Sequence, residues 1–290
     1  MRALVISGGG SRGQYHVGAL KYLYLDKGYQ HQILCGNSVG ALIAAFIAQY
    51  PYGKEADAIN TLANLFLHIR TENVKKPWRP FGLFTGFRSK KSLWNSHPLQ
   101  ELISTHIDVH KIQSTGRAVR VGMTRISPRD RSNYEVATEN HPELIQAIQA
   151  SAALVPFFEP VRVDQDWAID GGVQQITPIR SAIDAGATVI DVLMCYPPML
   201  KFPATREMSV LNLGFFTFDL LLHNLAWTDV RRTQFINRMV TDYNIADKRR
   251  VELNLIYPSK DLGVNALEFN YVDALRLQNQ GYVDARETHR

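Results

Sequence analysis

Ile33-Leu34-Cys35-Gly36-Asn37-Ser38-Val39-Gly40 carries a short apolar run into a glycine-flanked serine, and the strongly apolar helical pattern of residues 39–49 follows until Pro51. Between a strand and a helix, small residues around the serine permit a turn sharp enough to expose its hydroxyl. The positive end of the following helix favours negative charge beside it. A second turn of this kind lies upstream, where Ala3-Leu4-Val5-Ile6 leads into Gly8-Gly9-Gly10-Ser11-Arg12-Gly13 and then a helical pattern over 14–27, closed by Gly28. Two strand-to-helix turns put both helix N-termini at one edge of one sheet. One turn offers backbone N–H groups to an anion and the other a hydroxyl, the minimum apparatus of a serine acyl hydrolase.

Working outward, residues 56–70 have helical spacing at Ile59, Leu62, Ala63, Leu65, Phe66 and Ile69, residues 71–96 read as irregular, and 98–106 as a short helix. Segments 118–126 and 133–137 alternate as strands, and Ser127-Pro128-Arg129-Asp130 between them signals a hairpin turn. A helix over 142–153 precedes a short strand, 167–170, that ends at Gly171-Gly172. Then come a helix over 178–185 stopped by Gly186, a buried strand over 188–195, a strand over 250–257 and a last helix over 270–279 before Gly281. Alternating strands and helices with long apolar strands predict an α/β fold, a mainly parallel central sheet covered by helices on both faces. No low-complexity linker divides the chain, so residues 1–290 read as a single domain with a motif-bearing core over about 1–200 and C-terminal helices and a strand, 201–290, packed on it.

With 46% hydrophobic and 20% charged residues among 290, the chain is of the folded globular class. A strand pattern that begins at Arg2 leaves no room for a cleaved secretory leader, and residues 208–227, interrupted by Asn212, Asp219, His223 and Asn224, read as a buried or interfacial helix and not a membrane span. Two cysteines, Cys35 and Cys195, form no disulfide framework; together these features predict a cytoplasmic protein. The net charge of +5 is spread along the chain without a nucleic-acid module, so nucleic acid is not an expected partner. Lys75, Lys76, Arg79, Arg88, Lys90 and Lys91 interleave with Trp78, Phe81, Phe84, Phe87 and Trp94. That segment either packs its aromatics or makes a peripheral contact with an anionic lipid surface.

Gly8, Gly10 and Gly13 also fit a dinucleotide fingerprint, but that reading needs an acidic residue at the end of the second strand, where Gly36-Asn37-Ser38 stands instead. A serine needs a base. None of the nine histidines follows a strong strand in a glycine-flanked loop, and the late ones, His223 and His289, read as a helix-face and a tail residue. Asp170 is the alternative: it closes its strand before Gly171-Gly172, at the sheet edge where ligands bind in α/β folds, and burial would raise its pKa toward that of a useful base. The plainer reading is an aspartate that caps a tight turn.

With these pieces in place, the chain resembles the patatin-like phospholipase family. Four blocks match in order: Gly8–Gly13, Gly36–Gly40, Ala150-Ser151-Ala152-Ala153-Leu154-Val155-Pro156, and Asp170-Gly171-Gly172. The helix ending in Gly281-Tyr282 resembles the closing helix of bacterial members. The resemblance implies a three-layer α/β/α fold and a Ser38–Asp170 dyad, with an oxyanion hole formed by the N–H groups of Gly9, Gly10, Ser11 and Arg12. Gly8, Gly13, Gly36, Gly40, Gly171 and Gly172 would support these turns, and Ser151 and Pro156 would shape the wall. It implies hydrolysis of a lipid or other fatty-acyl ester, of phospholipase A or lysophospholipase type, with no metal or organic cofactor. Acyl transfer to an alcohol, or a weakly active regulatory protein, are the alternatives on the same fold. One departure is visible: many members carry Asn shortly before a proline after Asp-Gly-Gly, whereas Val173-Gln174-Gln175-Ile176-Thr177-Pro178 has none.

Overall fold

The structure, a computed structural model, describes residues 1–127, 133–200, 210–243 and 249–288. Pro128, Arg129 and Asp130 of the hairpin turn, Met208 and His289 lie outside the described residues, as do the side chains of Phe87 and Asn212.

Among the described residues the strands are β1 (Arg2–Ile6), β2 (Ile33–Gly36), β3 (Ala118–Ile126), β4 (Asn133–Thr138), β5 (Val161–Val163), β6 (Asp166–Asp170), β7 (Val189–Leu193) and β8 (Glu252–Ile256). They form one sheet in the order β5-β6-β3-β2-β1-β7-β8, with β4 also on β3. Strands β3, β2, β1, β7 and β8 run parallel, β4 and β6 run against β3, and β5 pairs antiparallel with β6.

Period-two alternation sorts the apolar side chains to two faces. Leu4, Ile6 and Leu34 pack with the Gly13–Lys21, Val39–Ala48, Glu55–His68 and Leu144–Ser151 helices. Ala3, Val5, Ile33 and Cys35 pack with the Ile179–Asp184 and Val210–Tyr243 helices on the other face. The result is the expected three-layer α/β/α arrangement with a mainly parallel sheet. The Val39–Ala48 helix is apolar all round and almost entirely buried, so it is a core helix; each fully buried Ile or Phe of this kind contributes about 1.5–3 kcal/mol.

Several elements differ from the sequence reading. Residues 71–96 contain two short helices, Thr71–Val74 and Leu83–Ser89. A further short helix, Val109–Ser114, is started by the Asp108 side chain, which accepts from the amides of His110 and Lys111. The last helix, Tyr271–Thr288, runs through Gly281 and does not end there. Gly281 serves close packing instead: a Cβ on it would lie 2.0 Å from the Tyr15 carbonyl oxygen, and one on Gly18 would lie 1.9 Å from that of Gln278. The first and last helices therefore cross backbone to backbone. No described helix is long and apolar enough to cross a membrane.

Candidate active site

Ser38 caps the Val39–Ala48 helix with φ +55° and ψ −132°, a region that non-glycine residues avoid at a cost of about 1–3 kcal/mol. The turn is tight because Gly40 lies against β1: a Cβ there would sit 2.2 Å from the Ile6 carbonyl oxygen. The Ser38 amide donates to the Ser151 hydroxyl oxygen at 3.0 Å. Below it Asn37 is fully buried, its side-chain oxygen accepting from the Tyr134 hydroxyl at 3.1 Å and its side-chain amide donating to the Gln175 carbonyl.

Strand β3 brings Asp170 to this serine. β4 covers one edge of β3, and β2 and β6 share the other, so they meet head-on: Gly36 pairs with Val121, and Asp170 with Met123. Gly122 lies in the gap. A Cβ there would come within 2.0 Å of the Asn37 side-chain oxygen and 2.1 Å of the Tyr134 hydroxyl, so only glycine leaves room for the asparagine under the turn. Asp170 thus arrives on an antiparallel strand at the C-terminal end of β2.

The Ser38 side chain faces the Asp170 carboxylate and favours its charged form, and the carboxylate accepts the Gly172 amide at 2.7 Å. Asp170 is 1% exposed and no cation pairs with it among the described residues. Burial pushes its carboxyl up to about 7, and the Gly172 amide and the Ser38 side chain offset only part of that rise. No described histidine hydrogen-bonds to either side chain; His223 bonds to the Pro197 carbonyl at 2.8 Å, as a helix-face residue does.

The four expected oxyanion amides divide into two pairs. The Ser11 amide is taken by the Ala266 carbonyl at 2.7 Å and the Arg12 amide by that of Gly9 at 3.2 Å. Among the described residues the amides of Gly9 and Gly10 have no protein acceptor, and neither does that of Val39, the residue after the serine. The Arg12 side chain is buried, and its guanidinium pairs with both oxygens of Asp219 at 2.5 and 2.7 Å. It is not a surface charge at a helix start.

The loop after Asp170, which lacks the family's asparagine, is braced from elsewhere. Gly8 N–H donates to the Ile176 carbonyl at 3.1 Å, Asn37 reaches the Gln175 carbonyl, and the Asp229 carboxylate, on the Val210–Tyr243 helix, accepts the Thr177 amide at 3.1 Å. Of these supports, Gly122 could have been found from its place inside an apolar strand. Asp219, Asp229 and the Ala266 carbonyl leave no mark in the local sequence.

A cavity of about 90 Å³ borders Ser38, Val39 and Gly10 and is otherwise walled by apolar side chains, among them Leu42, Phe46, Leu62, Phe66, Ile103 and Phe158, with His106 a polar exception. Nearby, the aromatic and basic segment splits in two. Trp78 donates its indole N–H to the Ser92 carbonyl, and Lys75 lies over Trp94 while pairing with Glu268 at 3.3 Å, whereas Phe81 and Phe84 are 72% and 63% exposed.

A sequence profile of the Patatin family, described as patatin-like phospholipase, matches residues 4–183. The uncharacterized protein YqhO of Bacillus subtilis (strain 168) is 29% identical over 192 residues, 60% of this chain and 64% of the relative. The probable lipid hydrolase 463L of Invertebrate iridescent virus 6 is 27% identical over 187 residues, 63% of each chain. The matches thus span less than two thirds of either relative. Among solved structures, VipD from Legionella pneumophila aligns over 99% of this chain and 66% of its own length with a TM-score of 0.48 and 14% identity. The profile match extends from the glycine turn of β1 past the aspartate that closes β6, and the chain belongs to the patatin-like phospholipase family.

Proposed function

We propose that the protein is a serine-dependent lipid acyl hydrolase that cleaves a carboxylic ester through an acyl-enzyme. Asp170 takes the Ser38 proton as the serine oxygen attacks the ester carbonyl, and the amides of Gly9 and Gly10, with that of Val39, hold the oxyanion. Collapse of the tetrahedral intermediate expels the alcohol, which receives the proton from Asp170. Asp170 then deprotonates a water that attacks the acyl-serine, and the fatty acid leaves as Ser38 regains its proton. The acyl chain lies in the apolar cavity. One observation carries this reading: a serine side chain facing a buried carboxylate that no cation among the described residues neutralises, beside amides without a described acceptor and a hydrocarbon-lined space. A carboxyl near 7 is the base such a reaction needs at neutral pH. The name of the viral relative points the same way.

The test is labelling with a fluorophosphonate together with turnover of a short-chain nitrophenyl ester and a phospholipid. The label maps to Ser38, and Ser38→Ala abolishes both labelling and turnover; undiminished turnover in the folded variant overturns the proposal. Phe81 and Phe84 are the proposed contact with a lipid surface. Changing both to Ser lowers flotation with anionic vesicles while leaving nitrophenyl ester turnover unchanged, and unaltered flotation rejects that contact.

A further inference from the structure

Residues 262–269, beyond the family match, form a strap over the glycine turn. The Ser11 amide and hydroxyl bond to the carbonyls of Ala266 and Asn265 at 2.7 and 2.9 Å. The strap's other end is tied to Thr71, whose amide donates to the Phe269 carbonyl at 3.2 Å and whose hydroxyl oxygen accepts the Phe269 amide at 2.9 Å. On one side of the strap lies the cavity beside Ser38, which Ala266, Leu267 and Phe269 help to enclose. On the other lies a second groove of about 390 Å³ that shares Ala266 and Leu267 with the first and adds Val264, Leu154, Phe157 and Phe218.

We propose that this second groove holds the second acyl chain of a two-chain glycerolipid, so that the substrate straddles the strap with one chain on each side. The inference rests on the hydrolase reading above. In a diacyl glycerolipid the two ester-linked chains spring from neighbouring carbons. With one chain in the Ser38 cavity, the other emerges within a few bond lengths of the reacting ester and must lie along an adjoining surface. The lining decides between hydrocarbon and head group. The groove's charged groups are Arg12 and Asp219, and they neutralise each other through two hydrogen bonds, leaving no uncommitted cation there for a phosphate. Its remaining walls are mainly leucine, valine and phenylalanine, with Phe157 and Phe218 in edge-to-face contact. A strap tied at both ends keeps the two chains apart.

The test uses a short-chain 1,2-dialkyl ether phosphocholine and its one-chain counterpart, both uncleavable and kept below micelle-forming concentration, titrated into the intact protein by calorimetry. The second chain tightens binding at least tenfold. Val264→Trp, which fills the groove, reduces that gain to less than threefold and leaves the affinity for the one-chain ether unchanged; Phe218→Ala, which removes a wall, reduces it in part. Equal affinities of the two ethers for the unaltered protein, or a gain that survives both variants, overturns the proposal. Since neither ether is hydrolysed, this result is independent of whether Ser38 is the nucleophile, which the ester assay decides separately.

Discussion

Asp170 ends β6 at the rim of the sheet, and Asp191 lies within β7 opposite Leu4 of β1; they are 1% and 0% exposed. Burial alone would raise both carboxyls. Around Asp191 that effect is outweighed: His31 Nε2 lies 2.7 Å away, Arg2 donates twice at 2.5 and 2.8 Å, and Asn254 donates at 3.0 Å, so its carboxyl is held below the usual range. Asp170 receives only uncharged donors and stays up at about 7. Equal burial therefore leaves a carboxyl held low at one place and one held high at the other, the second being the proposed base. What separates them is how completely the carboxylate is coordinated, not how deep it lies.

Exchanging each aspartate for asparagine probes the contrast most strongly. Asp170→Asn lowers ester turnover by about 10⁴-fold, the scale seen when a proton acceptor is lost from a serine nucleophile. It also stabilises the fold above pH 7. The raised carboxyl of Asp170 contributes stability that is complete below its unfolded value near 4 and lost as pH rises through about 7, a difference of a few kcal/mol that the amide abolishes. Asp191→Asn has the opposite profile: turnover on a soluble ester changes little, while stability falls by roughly 3 kcal/mol because Arg2 and His31 lose their anion. In a domain this size such a loss lowers Tm by about 6–12 °C. Thermal melts at pH 5 and pH 8 alongside nitrophenyl ester kinetics check both; a loss of activity in Asp191→Asn equal to that in Asp170→Asn would dissolve the distinction.

The pH profile sharpens it at a smaller scale. If ionised Asp170 is the base, kcat/KM rises about tenfold per unit up to pH 7 and then levels. Asp229 is also pushed up to about 7 by burial, but it bonds to the Thr177 amide, not to Ser38. Asp229→Asn therefore leaves the acid limb where it is; a limb that moves with Asp229 assigns the titration to the brace. The smallest effect is expected from Asp229→Ala, which strips the Thr177 amide of its acceptor. It costs about 1 kcal/mol of stability and lowers kcat a few-fold with KM unchanged, measurable by denaturant titration and initial rates.

Ser38 and Asp170, the proposed reacting pair, could be singled out in the chain because each sits in a glycine-punctuated strand end, and strand ends of this kind advertise themselves within five or six residues. The layered sheet was equally legible, since alternation on β1 and β2 names both faces at once. Three things were not. Neither the edge of β3 that β6 joins nor its direction there is written in its residues, since a five-residue strand pairs equally well either way on paper. The commitment of the Ser11 amide depends on a carbonyl of Ala266, and any residue supplies a carbonyl. The ion pair of Arg12 with Asp219 and the brace at Asp229 join residues far apart in the chain, where neither partner has a local pattern to betray the other. Gly281 misled for a related reason: glycine is read as a helix stop, and here it marks a crossing with the helix that carries Gly18.

Strand β3 acts as a measuring rod for the chemistry. Gly36 and Asp170 register two rungs apart on one edge, an interval of roughly 7 Å along the strand. The polypeptide between them can be lengthened, shortened or rerouted through loops and helices without altering that interval, provided the pairing on β3 holds. The walls around the serine can thus be remodelled while the Ser38 turn and the end of β6 keep their spacing.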